Sequence, residues 1–153
     1  MVDPVTVDLP GATAEAAALA DEARQLLAEL DRDVPGAAAL NAECRPSLDV
    51  VETSAAIEVV VDVPGVAPDS LRVVLRRQTL LVVGAKLAPV PDAGARFHLA
   101  ERSYGRFARA VRLGGAVDGA RARAVVAAGQ LRVVLPRLDD RRGKVFRIPV
   151  DRA

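Results

Sequence analysis

Residues 56–65 read AIEVVVDVPG. Ile57, Val59, Val61 and Val63 fall on one side of an extended chain, and Glu58, Val60 and Asp62 fall on the other. A period of two is the signature of a half-buried strand, and Pro64-Gly65 stops it. The same period continues on both sides. SLDVVET (47–53) precedes it as a short strand, and VAPDS (66–70) turns the chain into SLRVVLRR (70–77), where Leu71, Val73 and Leu75 share a face. A tight reversal at Gln78-Thr79 leads into LLVVGAK (80–86). After a long connection come FARAVRL (107–113) and then ARARAVV (120–126) and QLRVVLPRL (130–138), which flank a hairpin turn at Ala128-Gly129. Many short strands with no helices between them predict an all-β, antiparallel β-sandwich.

The segment before this sheet has another period. TAEAAALADEARQLLAELDRD (13–33) is built from strong helix formers, with Thr13 able to cap and Glu15 in the positive first turn. Ala16, Leu19, Ala23, Leu26 and Leu30 recur at 3, 4, 3, 4, a narrow seam of the kind one helix offers another. Pro35-Gly36 ends the helix, and AAALNAECRP (37–46) reads as a linker. Residues 1–44 carry nine acids against Arg24 and Arg32, a net of −7, while residues 45–153 carry nineteen Lys and Arg against eleven acids, a net of +8. An acidic arm beside a basic body favours association by Coulomb attraction, either with its own domain or beside another arm. The arginines Arg96, Arg102, Arg106, Arg109 and Arg112 could attract nucleic acid, but the arm competes for them. With no Trp there is also no broad stacking surface, so no nucleic-acid partner is expected.

Other classes find little support. The single Cys44 cannot form an intrachain disulfide, and the opening MVDPVTVDLP lacks the basic and apolar regions of a secretory signal. No stretch reaches the roughly 18 apolar residues of a membrane helix, so a cytoplasmic protein with no membrane span is expected. His98 with Cys44 or Ser103 has no motif around it, metal ligands are too few, and no Gly-rich phosphate loop opens a helix. The sequence calls for no catalytic residue, metal or cofactor.

The chain ends in KVFRIPVDRA (144–153), after the charged run RLDDRRGK. In extended geometry Ile148 and Val150 are adjacent knobs on one side, and Pro149 between them removes a backbone donor. Such a tripeptide is shaped to lie along something: a last strand on its own sheet, or a surface of another molecule.

From about Pro46 to Val150 the chain resembles the α-crystallin domain of the small heat-shock proteins. PSLDVVET followed by IEVVVDVPGV is similar to the family's opening strands. ERSYGRFARAVRL is similar to its E-R-x-F/Y-G-x-F-x-R-x-V/F-x-L-P segment, and VDGARARAVVAAGQL to V-D-x-x-x-I-x-A-x-x-x-N-G-V-L. IPV stands where the family places its I-x-I/V tail. Gly114 departs from the family's Pro, Ala128-Gly129-Gln130 from Asn-Gly-Val, and residues 1–44 contain none of the family's arm aromatics.

The resemblance implies an immunoglobulin-like β-sandwich over 45–138, an N-terminal arm over 1–44 with its helix at about 13–33, and a C-terminal extension over 139–153. It implies an ATP-independent chaperone, a holdase that binds unfolded client proteins and passes them to ATP-dependent chaperones. Dimers would assemble into a higher homo-oligomer. Ile148, Pro149 and Val150 would dock on a neighbouring dimer, in a groove lined by Val73, Leu75, Ala124 and Val126. In FARAVRL, Arg109 shares a face with Phe107, Val111 and Leu113. A desolvated guanidinium there needs a carboxylate or carbonyl, and the resemblance places that partner at the dimer interface. In FHLAE (97–101), Phe97 and Leu99 alternate against His98 and Ala100, as in the family's strand that crosses to the partner subunit. The implied interface is thus Phe97, Leu99, Glu101, Tyr104 and Arg109. A rival reading is a p23-like co-chaperone adaptor. That type shares the sandwich and docks one specific partner, but lacks the long connection and the I-x-I tail.

Overall fold

A computed structural model describes residues 14–40, 42–138 and 145–153. Helix α1 (Ala14–Asp33) is followed by strands β1 (Leu48–Glu52), β2 (Ala56–Asp62), β3 (Leu71–Arg76), β4 (Thr79–Lys86), β5 (Gly105–Arg112), β6 (Arg123–Ala127), β7 (Gln130–Pro136), β8 (Val145–Ile148) and β9 (Val150–Arg152). They form a β-sandwich of two sheets, ordered β1-β2-β7-β6-β9 and β5-β4-β3-β8. Every strand pair is antiparallel except β6 with β9.

Alternation sets which side chains meet. Ile57, Val59 and Val61 of β2 and Leu131, Val133 and Leu135 of β7 point between the sheets, where they meet Leu80 and Val82 of β4 and Phe107 of β5. The β6–β7 hairpin turns through Ala128 and Gly129 at φ 50° and 75°. Two successive positive φ values match the right-handed strand twist, and Gly129 adopts its value without the strain a Cβ brings. The β3–β4 reversal lies one residue earlier than the sequence suggested, at Arg77-Gln78, with Arg77 at φ 54°. Thr79 is instead the first residue of β4, opposite Arg76 and buried, as suits a β-branched side chain.

Strand β4 is buried on both faces, and the outer one is covered by α1. Ala23, Leu26, Leu27 and Leu30 pack on Val74, Leu81, Val83, Ala85, Ala108 and Ala110. The narrow seam read as a helix–helix contact therefore lies on a sheet. Leu27 widens it to the stripe a sheet needs, and Val34 and Ala37 extend it past the helix end. The linker is held as well: Ala37 is buried in a short 3-10 turn, and Glu43 forms a bridge with Arg106 of β5.

Candidate functional site

Strands β3 and β6 face each other across the open side of the sandwich, one from each sheet. Val73 and Leu75 point inward from β3, and Ala124 and Val126 from β6. Among the described residues the tail occupies the groove between them. β8 runs antiparallel to β3, with Ile148 opposite Val73 and Phe146 opposite Leu75. After Pro149 the chain crosses to the other sheet, and β9 runs parallel to β6, with Val150 opposite Ala124 and Arg152 opposite Val126. Ala153 N–H donates to the Val126 carbonyl at 3.2 Å. Ile148, only 4% exposed, belongs to the core between the sheets. Pro149 suits the crossing point because it has no N–H to leave unpaired between the sheets.

This tail lies on its own chain, one of the two placements its shape allows; the resemblance implies the other, docking on a neighbouring dimer. Docking within one chain avoids the loss of translational and rotational freedom that docking between chains incurs. Phe146 depends on a missing side chain opposite it. A Cβ on Gly119 would lie 2.3 Å from the Phe146 ring. Gly119→Val should therefore loosen the tail while the sandwich stays folded. Overpacking of about 1–3 kcal/mol corresponds to roughly 5- to 150-fold faster amide exchange over residues 145–153. Exchange read by mass spectrometry checks this, and unchanged protection would contradict it.

The tail is also tied to α1. Glu29 accepts from Arg147 Nη1 at 3.0 Å and from Nη2 at 2.7 Å, a two-pronged pair, and lies 3.6 Å from Arg72 Nε. Arg72 Nη2 donates to Asp33 at 3.0 Å. A cleft of about 340 Å³ sits at this junction, lined in part by Leu26, Arg72, Val73, Arg147 and Ile148. The hydrogen bonds from Arg147 hold the Glu29 carboxyl below its ordinary value of 4.5; partial burial pushes the other way, and the charges of Arg147, Arg72 and Arg32 add to the lowering. A depressed carboxylate stabilises the folded state above its ordinary value, and that stabilisation is lost as pH falls through the folded value. The urea midpoint of helix and tail release should thus drop on acidification below about pH 4.5. Glu29→Gln should lower the midpoint at neutral pH and flatten this part of the profile. A profile unchanged by Glu29→Gln would contradict the assignment.

Of the residues assigned to a dimer contact, Arg109 lies on β5 and the other four lie in the connection before it. Arg109 Nη1 donates to the Pro46 carbonyl at 2.6 Å, so a carbonyl of its own chain answers the guanidinium's need for a partner. Residues 97–101 form no strand, in contrast to the alternation read in FHLAE, and Phe97 and Leu99 are 64% and 74% exposed. A strand without a neighbour leaves its backbone groups unpaired, so alternation alone does not make this segment one. Glu101 is exposed, and Tyr104 is half-buried under the Arg102 guanidinium, 5.2 Å from the ring centre.

No catalytic arrangement involves the residues considered for one. His98 and Ser103 are exposed, while the Cys44 thiol donates to the Gly105 carbonyl at 3.4 Å and burial pushes its pKa up. Among the described residues no three His, Cys, Asp or Glu side chains gather to hold a metal, and no helix is long and apolar enough to cross a membrane. Sequence reasoning missed Glu29, Arg72, Arg147 and Gly119. The charge asymmetry pointed towards the first three; nothing local marked Gly119.

A sandwich whose open groove takes an Ile-Pro-Val tail defines the class. The profile of the Hsp20/alpha crystallin family matches residues 49–151, which include both the sandwich strands and the tail. The chain belongs to the Hsp20/alpha crystallin family. It is 32% identical over 115 residues to an 18.9 kDa heat shock protein of Oryza sativa subsp. japonica, a match covering 74% of this chain and 65% of the relative. To Spore protein SP21 of Stigmatella aurantiaca it is 35% identical over 92 residues, covering 60% of this chain and 54% of the relative. The matches thus span less than two thirds of these relatives' lengths. Among solved structures, heat shock protein 16.0 from Schizosaccharomyces pombe superposes with a TM-score of 0.61 at 27% identity, covering 67% of this chain and 94% of that one. The hspA of Xanthomonas axonopodis superposes at 0.56 with 26% identity, covering 63% of this chain and 96% of that one. Family membership supports a chaperone role.

Proposed function

We propose that this chain is an ATP-independent holdase that assembles from dimers into larger homo-oligomers and keeps unfolding proteins in solution. The observation that carries the reading is the filling of the β3–β6 groove by Ile148 and Val150. The groove accepts a short extended segment by backbone pairing and apolar knobs, so the tail of a second chain fits it as well as the chain's own tail does. Burying two branched side chains contributes roughly 1.5–3 kcal/mol each, much of it offset when the partners are separate molecules. Each contact between chains is therefore weak, and many together give an assembly that holds yet exchanges.

In this reading residues 1–44 are the arm, 45–138 the chaperone domain and 139–153 the extension. Phe97, Leu99, Glu101, Tyr104 and Arg109 form the dimer contact. The exposure of Phe97 and Leu99 supports this, since two large apolar side chains on one loop suit burial against a partner. Warming or unfolded protein opens grooves, clients occupy them, and ATP-dependent chaperones in the cytoplasm take the clients on. The experiment is light scattering of a heated model client with and without the chain, in the absence of ATP. Suppressed aggregation is expected; a client that precipitates unchanged at a molar excess of the chain would overturn the proposal.

A further inference from the structure

We infer that the outer face of the β3–β4–β5 sheet is a docking surface for acidic amphipathic helices, occupied by α1 until such a segment of an unfolding protein displaces it. This deepens the holdase reading and rests on it. The face is apolar across three strands: Val74, Leu81, Val83, Ala85, Ala108 and Ala110, all buried beneath α1. The three alanines keep its lower part shallow, which lets leucines spaced three and four apart sit close to the sheet.

The rim of this face is basic. Arg72, Arg106, Arg112 and Arg147 surround it, and each pairs with an acid of α1. Arg72 reaches Asp33 at 3.0 Å, Arg106 reaches Asp31 at 3.0 Å, Arg112 reaches Glu15 at 3.6 Å, and Arg147 reaches Glu29 at 2.7 Å. An apolar strip inside a positive rim selects helices with a leucine stripe flanked by acids. It rejects basic helices by repulsion and polar ones by want of contact.

The resident helix can give way. Three of these four ion pairs lie at the surface, where water and salt weaken them, only the Arg106–Asp31 pair being part-buried, and one of the three reaches the tail rather than the sandwich. When the tail leaves its groove, Arg147 leaves Glu29 and α1 loses part of its hold. Opening of the groove and of this face are thereby linked. A resident occupant lowers the apparent affinity for a competitor by the fraction of time it is bound, so weakening α1 should raise the affinity for helices added from outside.

The test uses the full chain and a labelled peptide with the sequence of residues 14–33. Two control peptides accompany it, one scrambled and one carrying Glu15→Lys, Glu29→Lys, Asp31→Lys and Asp33→Lys. Binding is read by fluorescence anisotropy. A chain with Leu26→Glu and Leu30→Glu should bind the acidic peptide at least about tenfold more tightly than the unaltered chain does, and should bind both controls at least about tenfold more weakly than the acidic one. A second chain, with Arg72→Glu and Arg106→Glu, should reverse the preference and favour the Lys peptide; it decides the matter if the first variant does not fold. Equal binding of the three peptides, or a preference unmoved by Arg72→Glu and Arg106→Glu, would overturn the inference. If the chain still keeps a heated client in solution, the docking surface alone is wrong; if it does not, the holdase reading falls with it.

Discussion

A chain carrying Ile148→Gly and Val150→Gly should scatter light as a species no larger than a dimer, while the unaltered chain scatters as a larger assembly. Ile148 sits in the core between the sheets, opposite Val73, and Val150 packs at its margin beside Ala124. Removing both side chains takes away roughly 1.5–3 kcal/mol for each, and glycine also frees the tail's backbone, so the extended form becomes rarer. A contact between chains that was weak to begin with does not survive that loss. Within a chain the same change leaves the groove uncovered, and binding of an apolar dye should rise. Val90→Gly is the control, because Val90 is 93% exposed and touches neither groove nor tail. An assembly of unchanged mass would remove the tail from the account of oligomer formation.

Two leucines that are equally buried should behave differently when shortened. Leu131 lies between the two sheets and Leu26 lies on the sheet-facing side of α1, each 0% exposed. Leu131→Ala should cost about 2–5 kcal/mol and lower the sandwich melting temperature by roughly 8 °C or more. Leu26→Ala removes as much packing, but the cost falls on the docking of the helix. Helix loss, followed by circular dichroism, should then precede a sandwich transition close to that of the unaltered chain in calorimetry. If Leu26→Ala lowers the whole transition as far as Leu131→Ala does, the helix and sandwich melt as one unit. The face beneath α1 would then not open on its own.

Much of the sandwich could be read from alternation because each of the first seven strands carries its own signal. Ile57, Val59 and Val61 point inward for the reason that placed them on one side of an extended chain. The contacts between distant segments were harder to read. A 3, 4, 3, 4 spacing describes a leucine seam, but it does not say whether the opposing surface is a helix or a sheet. The clue lay in LLVVGA of β4, whose unbroken apolar run means that both faces are covered. The tail posed a similar problem. Ile148 and Val150 announced a docking segment, and the same shape fits the groove of their own chain or another's. Only the folded geometry brings Gly119 under Phe146 and Glu29 to Arg147, since 27 and 118 positions separate those pairs along the chain. In FHLAE the alternation is present, yet a strand also needs a neighbour to pair with, and alternation names none.

Assembly and client capture, as proposed, both depend on edges that pass between chains. Native mass spectrometry of ordinary and isotope-labelled protein, mixed and warmed in steps, tests this most directly. Assemblies containing both kinds of chain should form, faster at each higher temperature, and the Ile148→Gly, Val150→Gly chain should take no part in them. A single-chain mass at every step, or assemblies that never mix, would contradict it.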